Sequence, residues 1–182
     1  HDYNIVLKGR QLGFSTLIAG YSLWMMLFGN DKNILVIATK QEVAKNLVTK
    51  VKYMHNALPV WLRGNLTEDN KLALRFANGS QIKAVASSKD AGRSEALSLL
   101  ILDEAAFIEN AEEIWTAAQA TLSTGGRAIL NSTPNGVGNF FHKTWLKGEA
   151  GDGWNPIKLH WTVHPERNEK WRKEQTQLLG EK

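Results

Sequence analysis

The sequence predicts an α/β domain: a mostly parallel sheet with helices on both faces. Three observations predict it. Apolar runs of strand length alternate along the chain with longer segments at helical spacing. Two of the runs, Asn33 to Ala38 and Leu99 to Leu102, are apolar almost throughout, as strands buried on both faces are. Glycine, asparagine and proline punctuate the boundaries, with no internal repeat or low-complexity tract between them.

The elements follow in order. Tyr3 to Leu7 is a short apolar run before a glycine-containing loop and reads as the first strand. Ser15 to Phe28 is rich in Leu, Ile, Met and Trp, lacks proline, and reads as a mostly buried helix ended by Gly29-Asn30. Asn33 to Ala38 is the second strand. Gln41 to Asn56 carries Val43, Ala44, Leu47, Val48, Val51 and Met54 at helical spacing. Leu72 to Phe76 and Gln81 to Val85 flank Asn78-Gly79, a strong hairpin signal. Leu99 to Leu102 is a buried strand that ends in two acids. Ala111 to Leu122 reads as a helix stopped before Gly125-Gly126, and Arg127 to Asn131 as a further strand. Phe140 to Leu146 reads as a short helix, Pro156 to Trp161 as a strand, and Glu169 to Leu179 as a polar amphipathic helix.

The 182 residues fit one domain with a sizeable core, and 43% hydrophobic and 22% charged residues are ordinary for a globular chain. A net charge of +4 permits a nucleotide or nucleic-acid partner without demonstrating one. Cysteine is absent, which excludes disulfides and thiolate metal sites from this stretch. The longest apolar run, around Leu23 to Phe28, is far too short for a membrane span, so no membrane partner is expected. The first strand opens the chain without an initiator methionine, and the expectation is a fragment of something longer. Most of the seven tryptophans are expected to be packing anchors.

The chemistry begins at Lys8-Gly9-Arg10-Gln11-Leu12-Gly13-Phe14-Ser15-Thr16. A phosphate-binding loop follows G-x-x-x-x-G-K-[ST], with lysine on the β/γ-phosphates and the hydroxyl on Mg²⁺. Here Gly13 and Ser15 hold two of those places, but Phe14 stands where the lysine belongs and Lys8 replaces the first glycine. A strand, a tight turn and a helix start would gather backbone N–H groups and a helix dipole at one point. Lys8 and Arg10 would add charge for a triphosphate, and Ser15, or else Thr16, would contact Mg²⁺. The same residues equally fit a plain turn in which Ser15 caps the helix and Lys8 and Arg10 are solvated.

Leu99-Leu100-Ile101-Leu102-Asp103-Glu104 is a Walker B pattern. An apolar strand delivers Asp103 to a carboxyl edge, where a carboxylate holds hydrated Mg²⁺. Glu104, one residue on, is placed to polarise an attacking water. A strand that merely ends in surface acids is the alternative, and the glycine loop upstream weighs against it. Leu130-Asn131-Ser132-Thr133-Pro134-Asn135-Gly136 brings small polar groups to another strand end, either to sense a γ-phosphate or as an ordinary turn. Arg93, in Ala91-Gly92-Arg93-Ser94, is a candidate for stabilising transition-state charge, or a surface arginine.

These four pieces, in this order, resemble the ATPase domain of large terminase subunits, the DNA-packaging motors of tailed bacteriophages. Lys8 to Ser15 matches a first motif of a basic residue followed by R-Q-x-G-x-[ST], in a variant whose phosphate-binding lysine opens the loop. Leu99 to Glu104 resembles the family's Walker B with its catalytic glutamate, and Ser132 to Gly136 its coupling motif. Essentially the whole chain is covered. The resemblance implies a P-loop NTPase core of the ASCE, RecA-like type, and Mg²⁺-dependent hydrolysis of ATP that drives double-stranded DNA into a capsid. It implies phosphate contacts from Lys8, Gly9, Arg10, Gln11, Gly13, Ser15 and Thr16, and Mg²⁺ held by Ser15 and Asp103. It implies Glu104 as the water-activating acid, Arg10 and Arg93 as arginine fingers, and Ser132, Thr133 and Asn135 as coupling residues. A homo-oligomeric ring, a portal protein and a small terminase subunit are the implied partners, in the host cell cytoplasm. Residues 1–182 would then be an ATPase fragment without the family's N-terminal adenine-binding segment or its C-terminal nuclease domain, and no nuclease activity is expected of it. Two other readings compete: a helicase-type P-loop motor, and a non-catalytic DNA-binding or assembly module with a degenerate ATP site.

Overall fold

The apolar runs assemble into one eight-stranded sheet. A computed structural model describes residues 1–88, 91, 96–122 and 124–179. In chain order its elements are β1 (Tyr3–Lys8), α1 (Phe14–Phe28), β2 (Asn33–Ala38), α2 (Gln41–Ala57), β3 (Leu66–Asp69), β4 (Ala73–Phe76) and β5 (Gln81–Ala86). There follow β6 (Leu99–Asp103), α3 (Ala111–Leu122), β7 (Arg127–Ser132), α4 (Phe140–Glu149), β8 (Asn155–Leu159) and α5 (Glu169–Leu179). Short 3₁₀ turns occupy Val60–Leu62, Ala105–Phe107 and Trp161–Val163.

The strand order is β3-β4-β5-β2-β6-β7-β1-β8. From β5 to β8 every pairing is parallel. The β4–β5 hairpin and its neighbour β3 form an antiparallel edge. β7 lies between β1 and β6, so the strand leading into the glycine loop and the strand ending in Asp103 are separated by one strand.

Alternation along the strands divides the core in two. Leu100 and Leu102 of β6 join Ile5, Ala128 and Leu130 in a cluster closed by Ile114, Trp115 and Ala118 of α3 and Phe141 of α4. Leu99 and Ile101, pointing the other way, join Ile34, Val36 and Ile82 under Ile18, Leu23 and Met26 of α1 and Leu47, Val48 and Val51 of α2. β6 is buried at every position, as a central parallel strand covered on both faces must be. Ile101→Ala removes a fully buried side chain from that strand. It should cost about 2–5 kcal/mol, read as a lower urea midpoint with an unchanged m-value.

Several expectations are corrected. α1 is buried along one stripe only; Leu17, Trp24 and Phe28 lie on its exposed side. β3 is a further strand, with Leu66 and Thr67 exposed, so it lacks the alternation that marks a half-buried strand. α4 runs three residues past Leu146, to Glu149, and β8 stops at Leu159, leaving Trp161 to start a 3₁₀ turn. Among the tryptophans, Trp115, Trp145 and Trp154 serve the core, whereas Trp24 and Trp61 are exposed. No helix among the described residues is long and apolar enough to cross a membrane.

Candidate nucleotide site at the carboxyl edge of the sheet

The parallel strands β1, β7 and β6 end side by side at Lys8, Ser132 and Asp103. Ligands of open α/β sheets bind at such carboxyl ends. A cavity of about 390 Å³ opens there, lined by Lys8, Arg10, Gln11, Glu104, Phe107 and Thr133. A comparable cavity of about 410 Å³ lies at the opposite, amino ends of β2, β6 and β7, among Trp24, Lys32, Ser98 and Arg127. Among the described residues, none of the candidate catalytic or phosphate-binding residues lines it.

The loop between β1 and α1 has two left-handed residues, Gln11 at φ 55° and Gly13 at φ 73°. Glycine adopts that region freely; glutamine does so at a cost, and such cost concentrates at functional loops. Gly13 is the N-cap of α1, and no side chain caps the helix. The reading of Ser15 as a capping residue is therefore corrected: it sits, half-buried, inside the first turn. Without a side-chain cap, the free N–H groups of that turn remain available to an anion. Phe14 packs against the core cluster of α1 and α2, which accounts for an aromatic residue at that place. The Thr16 hydroxyl faces Lys50 Nζ of α2 at 3.5 Å.

Asp103 is buried, 7% exposed. Its Oδ1 accepts hydrogen bonds from Asn131 Nδ2 at 2.7 Å and from the Glu104 backbone N–H at 3.0 Å. The parallel register sets Asp103 opposite Asn131, so this pair follows directly from β6 and β7 being neighbours. Asn131 Oδ1 is buried without a hydrogen-bond partner. Glu104 is exposed and left-handed, φ 56° and ψ 41°, a conformation that turns the chain sharply out of β6.

The segment after β7 grips the turn that follows Glu104. Ser132 Oγ accepts from the Ala106 N–H at 3.2 Å, and Asn135 Nδ2 donates to the Ala106 carbonyl at 2.9 Å. Asn135 is itself held by Asn139, which caps α4 through His142 N–H. These bonds tie the segment after β7 to the turn after Glu104 and to the start of α4.

The structure brings Lys8, Arg10, Gln11, Glu104 and Thr133 around one cavity. Gly9, Gly13, Ser15, Thr16, Asp103, Ser132 and Asn135 belong to the same loop and strand-end segments but do not line it. Arg93 lies outside the described residues. Sequence reasoning missed Phe107, which lines the cavity from the turn after Glu104, and Arg167, whose guanidinium bonds to the loop backbone. Phe107 had a weak signal, its place just beyond the Asp-Glu pair; Arg167 had none.

Over residues 5–179 the chain matches the family model described as terminase large subunit, T4likevirus-type, N-terminal. It is 38% identical over 76 residues to the Mu-like prophage FluMu protein gp28 of Haemophilus influenzae, a stretch covering 42% of this chain and 15% of that protein. The large terminase ATPase domain of Thermus phage P74-26 superposes with a TM-score of 0.76 at 23% identity, over 99% of this chain and 84% of that one. A large terminase of a thermophilic bacteriophage, solved in complex with ADP, superposes with a TM-score of 0.74 at 17% identity, over 99% of this chain and 45% of that one. At these identities the structural likeness establishes the fold, a mostly parallel sheet covered by helices, and the chain spans less than half of the longer terminase. The chain belongs to the terminase large subunit family of the T4likevirus type.

Proposed function

We propose that this chain binds ATP with Mg²⁺ and hydrolyses it to drive double-stranded DNA into a viral capsid. The observation that carries the reading is the cavity that joins the cationic loop, Lys8 and Arg10, to Glu104 and Thr133. Cations and a carboxylate lining one cavity are what phosphoryl transfer to water requires. The ADP complex of a phage terminase with this fold supports a nucleotide as the occupant.

The donors present fit magnesium. Asp103 offers a carboxylate, and the unpartnered Asn131 Oδ1 beside it offers an acceptor for a metal-bound water. Among the described residues no three His, Cys, Asp or Glu side chains gather into a cage, which suits an ion ligated mainly by phosphate and water. Asp103 and Ser15 would hold it, and it would neutralise charge on the phosphates.

The chain's own residues do the rest. Lys8 and Arg10 bind the phosphates, with N–H groups between Arg10 and Ser15 beside them; Gly9 and Thr16, whose N–H groups are given to Leu159 and Gly13, close the two ends of the loop. Glu104 accepts a proton from the attacking water. Asn131 holds Asp103 in place, and Ser132 and Asn135 hold the turn of Glu104. Thr133 meets the γ-phosphate, so its departure is felt through Asn135 and α4. Arg93 is assigned a role on transition-state charge. The whole protein is proposed to work as a ring on a portal with a small terminase subunit, in the host cytoplasm. Its contacts with the DNA backbone would be weak in sequence preference and strongly salt-dependent.

The test is ATP turnover by the full-length protein across a Mg²⁺ titration. Turnover should vanish on chelation. In Asp103→Asn the Mg²⁺ needed for half-maximal rate should rise about tenfold, the scale of a lost charge-assisted contact. Turnover indifferent to Mg²⁺ would sink the reading.

A further inference from the structure

A loop that aims its N–H groups inward at phosphate turns its carbonyl oxygens outward. Those oxygens need donors from behind. In this chain the donor comes from the far end of the sequence. Arg167 Nη1 donates to the Arg10 carbonyl at 2.8 Å and Nη2 reaches the Gln11 carbonyl at 3.5 Å. The two acceptors flank the left-handed residue Gln11, at φ 55°. A planar guanidinium fork suits two consecutive carbonyls as an ammonium does not.

The fork is itself held in place. Its Cζ lies 4.8 Å from the ring centroid of Trp171, on the first turns of α5. Trp171 leans on Trp161, centroids 5.7 Å apart. Trp161 follows β8, whose last residue, Leu159, accepts the Gly9 N–H at 3.0 Å. Among the described residues no carboxylate pairs with Arg167, so its charge is spent on the loop and the indole face.

We propose that Arg167 is a positioning residue for the phosphate loop: by holding the Arg10 and Gln11 carbonyls it keeps Gln11 in its left-handed form. The inference rests on the reading of the cavity as an ATP site. It assigns Arg167 no contact with ATP. Its effect runs through the loop backbone, so it should act on nucleotide binding and leave the chemical step alone.

Two measurements on the full-length protein test this. The first is hydrogen exchange of the Gly9, Thr16 and Leu17 amides, which are hydrogen-bonded at the two ends of the loop, without nucleotide, compared between wild type, Arg167→Ala and Arg167→Lys. In Arg167→Ala these amides should exchange about tenfold faster, the scale of losing a charged donor to a carbonyl. Arg167→Lys, with one point donor, should fall between. The second is steady-state ATP hydrolysis: KM should rise about tenfold in Arg167→Ala while kcat stays within about twofold. Equal loop exchange in all three proteins overturns the proposal. So does a variant that loses thermal stability while loop exchange and KM stay at wild-type values, since Arg167 would then tether only α5. A wild-type protein that hydrolyses no ATP overturns the functional reading instead, and the exchange experiment still decides the role of Arg167. If Arg167→Ala does not fold, Arg167→Lys and Trp171→Ala carry the test, each expected to speed loop exchange by a smaller factor.

Discussion

Glu104→Gln in the full-length protein should lower kcat for ATP hydrolysis by about 10²–10⁴-fold and leave nucleotide affinity nearly unchanged. Glutamine keeps the size and one acceptor oxygen of glutamate but cannot take a proton at neutral pH. The fold should survive the substitution. Glu104 is exposed, and none of the hydrogen bonds that hold its turn uses its side chain: Asp103 accepts its N–H, while Ser132 and Asn135 hold Ala106. A substitution that alters only the carboxylate therefore isolates proton transfer from architecture. Single-turnover hydrolysis with a fluorescent-nucleotide affinity measurement separates the two terms. A variant with full kcat would remove Glu104 from the role of base, and the strained backbone at that residue would need another explanation.

How far the chain could be read in advance depended on where its information is local. β2 and α3 have the same bounds in sequence and structure, because each is a single pattern closed by turn residues at both ends. The β4–β5 hairpin was marked by Asn78-Gly79, and Gly79 does take the left-handed φ of 82° that such a turn asks for. β3 was invisible because its strand character comes from pairing with β4, and a mostly exposed Leu-Thr-Glu-Asp segment carries no periodic signal. In α1 the count of apolar residues suggested burial, whereas the side that turns Leu17, Trp24 and Phe28 to solvent depends on how far the sheet extends beneath the helix. The same division holds at the site. Asp103 and Glu104 announce themselves at the end of an apolar run, and Lys8 to Thr16 as a glycine turn before a helix. The contact of Arg167 with Arg10 joins positions 157 residues apart, and nothing near Arg167 in sequence points to the loop. Asn131 is intermediate. Its place in a polar strand end is visible in the sequence, but its bond to Asp103 needs the register of β6 against β7.

Lys8→Ala should raise KM for ATP by about 10–100-fold and lower kcat as well, because a cation on transferring phosphate is worth about 1.5–3 kcal/mol or more where charge develops. The contrast with Phe14 makes the test specific. In the usual loop the cation sits one residue before the hydroxyl, the place Phe14 takes here. Phe14 packs into the cluster beneath α1 and α2, whereas Lys8, at the end of β1, lines the cavity. Phe14→Ala should therefore cost stability, about 1–3 kcal/mol for a partly buried aromatic residue, with KM for ATP little changed. Lys8→Ala should do the reverse, since a half-buried lysine at a strand end contributes little to the core. Denaturation midpoints and ATP kinetics on the two variants give four numbers whose pattern is the result. If Lys8→Ala left both kinetic constants alone, the cation at the start of the loop would not be the one that holds phosphate. Arg10, the remaining cation lining that cavity among the described residues, would then be the group to substitute next.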